Sequence, residues 1–303
     1  MRAAWNQFVA QSKNGTFLFD RDYMDYHADR FADFSLMVFR RGRLYALLPA
    51  NADGETLVSH GGLTYGGLVM GSRVTAADSL VMFGAINDYL RAAGFRRVVY
   101  RPVPWIYQRQ PAEEDLYALF RVCNARHTAR EISSCIVQTS KLPWYRIRLS
   151  GAKQAAAAGI SIAESDDYAA FWQMLADNLR VKYGLRPVHT QEELELLHGR
   201  FPAQIRLWMA YDAQRVPVGG SVVYLTPQVA HSQYIASTPD GKRLHALDLL
   251  FDELINRALT DVPFFDFGKS TEEHGEELNE QLIYQKEGFG ARGICYDTYE
   301  WTL

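Results

Sequence analysis

The sequence predicts an α/β (α+β) fold with two tandem units, each a mixed central sheet flanked by helices. The first observation is the order strand, helix, strand over residues 229–268, written HSQYIAS, then TPDGKRLHALDLLFDELINRAL, then FFDFG. The second is the same order over residues 57–102, written LVSHGGLTYGG, then TAADSLVMFGAINDYLRAAG, then FRRVVYRP. A helix that links two strands of one sheet crosses over that sheet, and a ligand can bind in the crevice outside the carboxyl ends of the strands.

The length and composition are those of a globular protein with two domains. The chain has 303 residues, of which 48% are hydrophobic and 22% are charged, and this length exceeds what one core usually serves. No apolar run is long enough to span a bilayer and the amino end lacks a signal-peptide core, so we expect a cytoplasmic protein. Because Cys123, Cys135 and Cys295 are widely spaced, we expect neither a disulfide framework nor a metal site.

Charge is distributed unevenly along the chain. Residues 1–150 carry 19 Lys and Arg against 13 Asp and Glu, a net of +6, whereas residues 151–303 carry 13 against 22, a net of −9. The basic half contains a close group of arginines at Arg40, Arg41 and Arg43. Such a group favours a ligand that bears phosphate, and an ordinary solvated surface is the alternative.

The elements of the first unit follow from periodicity and from turn residues. In order, they are a helix before Asn14-Gly15, a hairpin from 34–40 to 43–49, the crossover helix after Thr75, a short helix over 113–121 and a strand over 132–138. The crossover helix has a capping sequence, because Thr75 can accept from the backbone N–H of Asp78 and Gly94 follows the last turn.

The second unit is the more complete one. In order, it contains a helix ending at Gly159, a strand over 160–165, helices over 166–184 and 191–200, strands over 205–211, 216–224 and 229–237, the crossover helix, a strand over 264–268, a helix through Leu278 and Tyr284, and a strand over 294–301. Thr190 and Glu193 form a second capping sequence. Pro143 interrupts the segment over 141–148, so we predict domains over 1–145 and 146–303.

This order of elements resembles the GNAT acyltransferase fold. The tandem arrangement, with KQAAAAGISIAESDDYAAFWQML opening the second unit and FFDFG late in it, resembles the FemAB-like branch, whose members carry two such domains. In topology the resemblance spans nearly the whole chain, and its motifs lie between Lys153 and Gly290. It implies an N-acyltransferase that takes its acyl group from acyl-CoA or from aminoacyl-tRNA, with no tightly bound cofactor.

The sharpest motif, YQKEGF, begins at Tyr284. It resembles the Y-x-K-x-G-F element of many GNAT enzymes, in which the tyrosine protonates the departing thiolate. Acyl transfer to an amine needs donors for an oxyanion, a base for the ammonium proton and an acid for the leaving group. The resemblance therefore makes Tyr284 the acid and places Lys286 at the donor, while a tyrosine ring packed on the sheet is the alternative.

The fourth strand of the second unit supplies the other half of such a site in this family. A period of two places His231 and Gln233 on one face and Tyr234 on the other. His231 is a candidate base near neutral pH, and a structural histidine is the alternative. Gln233 and Tyr234 are candidate donor-binding residues.

The end of the fifth strand carries two further candidates beside Gly268. We assign Lys269 to the donor and Asp266 to the acceptor, because ligands of open α/β sheets bind at this edge. An Asp266–Lys269 salt bridge that holds the loop is the alternative.

The window GKRLHA over 241–246 departs from the family pattern, R/Q-x-x-G-x-G/A, whose backbone N–H groups hold the pyrophosphate of coenzyme A. Lys242 and Arg243 can bind phosphate only as point charges. Fem-type enzymes, which use aminoacyl-tRNA, also lack a standard loop.

In the first unit, SHGGLTYGG over 59–67 and RPVPWIY over 101–107 converge at the carboxyl edge of the predicted sheet. Tyr65, Arg101, Trp105 and Tyr107 are the candidate acceptor-binding residues, and an aromatic structural interface is the alternative.

Two functions from different classes follow. The first is an N-acyltransferase of the GNAT/FemAB-like type that moves an acyl or aminoacyl group to an amine of a small-molecule or cell-envelope precursor. The second is a non-catalytic tandem GNAT-like protein that binds a small or peptide ligand in an expected interdomain groove. The YQKEGF element favours the enzyme, and the degenerate window over 241–246 favours the binding protein.

Overall fold

A computed structural model describes residues 1–183 and 189–303 of the chain. Gly184, which we predicted to end a helix, lies outside the described residues. The helices are α1 (Arg2–Gln11), α2 (Arg21–Met24), α3 (Ala76–Ala92), α4 (Glu114–Ala118), α5 (Arg146–Ala157), α6 (Tyr168–Tyr183), α7 (Gln191–Arg200), α8 (Pro239–Arg243), α9 (Ala246–Glu253) and α10 (Glu280–Glu287). No helix among these residues is long and apolar enough to cross a membrane.

The strands lie between and after these helices. They are β1 (Ala32–Asp33), β2 (Leu36–Arg40), β3 (Arg43–Leu48), β4 (Asn51–Asp53), β5 (Thr56–Val58), β6 (Val69–Met70), β7 (Arg97–Tyr100), β8 (Arg126–Val137), β9 (Ser161–Ser165), β10 (Ile205–Tyr211), β11 (Pro217–Leu225), β12 (Val229–Ser237), β13 (Phe264–Lys269), β14 (Thr271–Glu272), β15 (Glu277–Leu278) and β16 (Arg292–Thr302). Leu278 lies in β15, so the last helix begins two residues later than predicted.

The chain forms two compact units that are not continuous in sequence. The first unit contains Met1–Ile132, Thr271–Glu277 and Ile294–Leu303, and the second contains Ser133–Ser270 and Leu278–Gly293. The division falls within β8, because this long strand continues past the end of the first unit. The segment over 141–148 therefore lies inside the second unit, and α5 begins within it. The domain limits 1–145 and 146–303 stay a prediction about the duplicated sequence.

The charge asymmetry along the sequence does not carry over to the compact units. The first unit holds 16 Lys and Arg against 19 Asp and Glu, a net of −3, and the second holds 16 of each, a net of zero. The net charge of the first unit falls by 9 from that of residues 1–150. The segments Thr271–Glu277 and Ile294–Leu303 add six acidic residues, and Lys141, Arg146 and Arg148 belong to the second unit. The first unit is therefore not basic as a whole.

In the first unit, α3 links two parallel strands as predicted. The strands follow the order β1, β4, β5, β7, β16, with β5 parallel to β7. Thr75 and Asp78 form the predicted capping box of α3, and Gly94 after the helix has φ +91°. β16 pairs antiparallel with β7, which places the carboxyl-terminal strand in this unit. A separate three-stranded sheet has the order β2, β3, β6.

The second unit has the predicted antiparallel run followed by one parallel strand. Its order is β9, β10, β11, β12, β13, and then the last residues of β8. β12 and β13 are parallel, and α9 connects them. Thr190 and Glu193 form the predicted capping box of α7. The core between the sheet and α9 is rich in phenylalanine: Phe251, Phe265, Phe267 and Phe289 are all buried.

Candidate active site

The parallel strands β12 and β13 separate midway along β12. Their register pairs three positions and ends with His231 opposite Asp266. β12 continues to Ser237 and stays paired with β11 on its other side. An opening is therefore present between β12 and β13, and His231 and Asp266 lie at its start.

His231 and Asp266 form a buried imidazole–carboxylate pair. The distance from His231 Nδ1 to Asp266 Oδ2 is 2.9 Å, and the carboxylate is fully buried. Asp266 also accepts hydrogen bonds from the Ser133 hydroxyl and, at 3.2 Å, from the backbone N–H of Gly268. When Asp266 is ionised, its carboxylate can only accept, so Nδ1 of His231 donates to it and Nε2 of the neutral ring has the lone pair. This is the arrangement of a histidine base held by a carboxylate.

Lys286 on α10 brings a buried positive charge to the same place. Its side chain is 4% exposed, and Nζ donates to the carbonyl oxygens of Gly268 at 2.8 Å and Lys269 at 2.7 Å. Burial lowers the pKa of Lys286 to about 8, an effect that the charge of Asp266 partly opposes. A lysine of this pKa holds a proton at neutral pH and can give it up near the working pH.

Gly268 makes the turn on which this arrangement depends. Its φ is +77°, in the left-handed region that favours glycine. A Cβ at this position would lie 3.4 Å from Cε1 and 3.8 Å from Nε2 of His231. The left-handed turn thus places the backbone of Gly268 beside the imidazole and presents its carbonyl oxygen to Lys286.

Tyr284 does not face the same side of α10 as Lys286. Two residues along a helix correspond to a rotation of about 200°, and Lys286 takes the buried side. The Tyr284 side chain is 57% exposed, and its ring centroid lies 5.5 Å from that of Tyr145. The role of Tyr284 as the acid stays a prediction, and Lys286 is the titratable group that the helix directs toward Asp266.

A β-bulge in β12 overturns the predicted alternation of its side chains. Tyr224 pairs with His231 and Val222 pairs with Tyr234, so Gln233 is the extra residue. Because Val222 and Tyr224 share a face of β11, Tyr234 lies on the face of His231, not on the opposite one. Tyr234 Oη is hydrogen-bonded to Nδ1 of His189.

The start of α9, where this fold holds pyrophosphate, is filled by the chain itself. Asp248 in the first turn is buried, and its carboxylate contacts Nη1 of Arg148 at 2.9 Å and Nδ1 of His245 at 3.2 Å. α5 packs closely here, since a Cβ on Gly151 would lie 2.0 Å from Asp248 Oδ2. The side chains of Asp248, Arg148 and His245 thus lie together at this helix end.

The predicted donor-binding cations lie in three different environments. Lys242 and Arg243 are exposed on α8, and Arg243 is paired with Asp240 at 3.0 Å. Lys269 is half-buried in β13, opposite Ser133. Of the predicted donor cations, only Lys286 is buried at the opening.

The predicted acceptor residues of the first unit divide into core and surface. Tyr65 and Tyr107 are buried, with hydroxyls bonded to Thr16 and Tyr296 at 3.1 Å and 3.0 Å. Trp105 is 49% exposed. The two buried tyrosines fill the core of this unit and do not present a surface to a ligand.

Arg101 joins a histidine cluster that the sequence did not reveal. It donates to the carbonyl oxygen of His60 at 3.2 Å, and burial lowers the pKa of Arg101. The His60 ring lies 5.2 Å from that of His27, and burial, with the charge of His27, lowers the pKa of His60 to about 4. A Cβ on Gly62 would lie 2.0 Å from His27 Nε2, so the paired glycines of this segment were the signal for close packing.

Comparison with known proteins supports the fold. Residues 144–276 match the family model of an acetyltransferase (GNAT) domain, and no curated protein matches the chain. The chain is similar to the crystal structure of FemX at 10% identity, with a TM-score of 0.71, over 100% of this chain and 96% of that one. It is also similar to L-PGS from Bacillus licheniformis at 11% identity, with a TM-score of 0.63, over 98% of this chain and 90% of that one.

A third similar structure is the C-terminal domain of a putative lysylphosphatidylglycerol synthetase from Agrobacterium fabrum. The identity is 11% and the TM-score 0.63, over 99% of this chain and 90% of that one. The resemblance predicted from the sequence is thereby confirmed. The whole chain has the fold of these structures, and residues 144–276 within it match the GNAT acetyltransferase domain model.

Proposed function

We propose that the protein is an N-acyltransferase that moves an acyl or aminoacyl group to an amine of a small-molecule or cell-envelope precursor. The observation that carries the proposal is the meeting of His231, Asp266 and Lys286 where β12 and β13 separate. The match to an acetyltransferase domain supports the reaction class.

His231 is the proposed base. An amine enters as its ammonium ion and must lose a proton before its nitrogen can attack. Nε2 of His231 accepts that proton, and Asp266 holds the ring and stabilises the imidazolium that forms. Asp266 was predicted to bind the acceptor, but its carboxylate is fully buried, so we propose that it acts through His231 as a positioning residue.

Lys286 is the proposed partner of the leaving group. Attack forms a bond between the amine nitrogen and the carbonyl carbon, and the carbonyl oxygen becomes an oxyanion. Collapse breaks the ester or thioester bond, the attacking nitrogen loses its second proton to solvent, and the departing oxygen or sulfur takes a proton. The Lys286 ammonium can supply it, and its charge favours the oxyanion in a site that burial removes from water. Tyr284 remains the alternative acid.

The filled start of α9 favours a donor that does not need a pyrophosphate cradle there. Asp248 and its partner Arg148 occupy that position, so the guanidinium is already engaged by a protein carboxylate and is not free to bind a pyrophosphate. We therefore propose aminoacyl-tRNA as the donor in preference to acyl-CoA, whose pyrophosphate would need this helix end.

The same observation favours the second candidate, a non-catalytic protein that binds a small or peptide ligand. A GNAT-like domain that no longer takes a donor would have no need of the family loop. The two candidates differ in turnover, because the binding protein would leave every donor intact.

A donor panel tests the proposal. Acetyl-CoA, a long-chain acyl-CoA and a mixture of labelled aminoacyl-tRNAs are each added to the wild type and to His231→Asn, with a mixture of amines as acceptors. Thermal shift reports binding, and thiol release or loss of label from tRNA reports cleavage. We expect cleavage of aminoacyl-tRNA by the wild type, reduced in the variant. A donor that shifts the melting temperature without being cleaved by the wild type would establish the binding protein instead.

A further inference from the structure

A groove of about 690 Å³ on the first unit is lined by arginines. It lies between the end of α1, the hairpin β2–β3 and the loop after β6. Its polar lining consists of Arg40, Arg41, Arg43, Arg73, Gln11, Ser12, Tyr45 and Ser72. Within the part of the chain that the structure describes, no Asp or Glu lines this arginine groove.

The hairpin that carries three of these arginines contains two locally unfavourable features. The turn residues Arg41 and Gly42 have φ +49° and +75°, and a turn with two such residues normally uses Asn, Asp or Gly at the first position. Arg40 lies directly opposite Arg43 in the ladder, and like charges in that position destabilise a hairpin. Both features cost stability. Their presence in one hairpin suggests that the charges have a role other than folding.

One arginine is held in place by the protein. Arg40 forms an ion pair with Asp78, and its Nη1 donates to the Tyr45 hydroxyl at 3.1 Å. The Tyr45 hydroxyl also lies 2.9 Å from the carbonyl oxygen of Arg73. Tyr45 therefore ties the hairpin to the loop that carries Arg73, and this support fixes one wall of the groove.

The other three arginines are charged groups without a protein counterion. Across residues 1–183 and 189–303, Arg41, Arg43 and Arg73 form no ion pair, whereas the carboxylate of Asp78 is engaged by Arg40. Three guanidinium groups from two segments surround a concave space larger than one phosphate group needs. Arginine forks match phosphate oxygens in geometry and remain charged at every working pH.

We propose that this arginine groove binds adjacent phosphate groups of one ligand. The shared chemistry is a run of phosphate charges, whose source is either a free diphosphate group or the phosphodiester backbone of RNA. The inference does not rest on acyl transfer, because it uses only residues of the first unit.

Binding measurements on charge-neutral variants test the proposal. Inorganic pyrophosphate and a short single-stranded RNA are titrated into the full chain at low and moderate salt. Arg43→Gln and Arg73→Gln should each weaken binding by about tenfold, since each removes charge-assisted hydrogen bonds. Arg121→Gln, an exposed arginine outside the groove, is the matched control and should change binding by less than about twofold.

Arg41→Asn separates a ligand role from a structural one. Asn adopts positive φ more readily than Arg, so this variant should melt at a higher temperature than the wild type while binding phosphate more weakly. Saturable binding of pyrophosphate that the groove variants reduce would assign a free diphosphate ligand. Binding of RNA alone, reduced in the same way, would assign a phosphodiester backbone. Absence of binding to both probes, or an equal loss in Arg121→Gln, would overturn the proposal.

Discussion

Lys286→Met removes the buried ammonium group beside Asp266, and the pH dependence of stability then measures how strongly the fold lowers the pKa of this lysine. The pKa falls from 10.5 to about 8 on folding. Between these values the unfolded chain binds the proton and the folded chain does not, so raising the pH stabilises the fold. At about 1.4 kcal/mol per pKa unit, the full effect approaches about 3 kcal/mol.

Only part of this rise in unfolding free energy falls within the pH range that is practical for the experiment. Between pH 7 and about pH 9.5 the wild type should gain about 2 kcal/mol of unfolding free energy relative to Lys286→Met. The comparison uses the change with pH, because the variant also leaves the carbonyl oxygens of Gly268 and Lys269 without their donor. The stability lost with these hydrogen bonds does not depend on pH, so it shifts the whole curve of the variant by a constant amount.

Urea unfolding at four pH values across this range gives the unfolding free energy of the wild type and of Lys286→Met as a function of pH. Lys153→Met, which removes an exposed lysine of α5, is the control and should follow the wild type at every pH. Parallel curves for the wild type and Lys286→Met would refute the reasoning, because they would mean that folding leaves the lysine pKa unchanged.

Four further predictions concern stability and are measured by urea unfolding. Gly268→Ala should lose about 1 kcal/mol or more, because alanine is strained at φ +77°. Gly62→Ala should lose about 1–3 kcal/mol through overpacking, since its Cβ would lie 2.0 Å from His27 Nε2. Gly84→Ala, where no atom lies within 4 Å of the added Cβ, should instead stabilise α3 by about 0.5–1 kcal/mol. Thr190→Ala should cost about 1 kcal/mol through loss of the α7 cap. Equal stability of Gly62→Ala and Gly84→Ala would contradict the packing described around His27.

Local features of the fold could be predicted because they depend on residues close in sequence. The capping boxes at Thr75 and Thr190 each need only a threonine and an acid three residues later. The order of elements in the second unit followed from periodicity in the same way. The division of the chain into compact units could not be read from periodicity. It depends on pairing between β16 and β7, which lie about two hundred residues apart in the sequence.

In the site as well, features that depend on residues far apart in sequence could not be predicted. His231 and Asp266 were both singled out, but their pairing depends on the register of parallel strands. The bulge at Gln233 depends on how β11 aligns with β12, and a period of two cannot reveal it. Ser133, which donates to Asp266, is 133 residues away and had no local signal. Lys286 was found by resemblance, while its burial became visible only with Gly268 and Lys269 in place.

Single-turnover transfer from the donor that the panel identifies tests the central claim, that His231 and Lys286 carry the chemistry. His231→Asn, Lys286→Met and Tyr284→Phe are compared with the wild type at saturating donor, and each variant is first shown to fold. The account predicts that the first two lose at least about 10²-fold in rate, as expected for a lost base or acid, while Tyr284→Phe stays close to the wild type. A wild-type rate in Lys286→Met, together with a large loss in Tyr284→Phe, would contradict it.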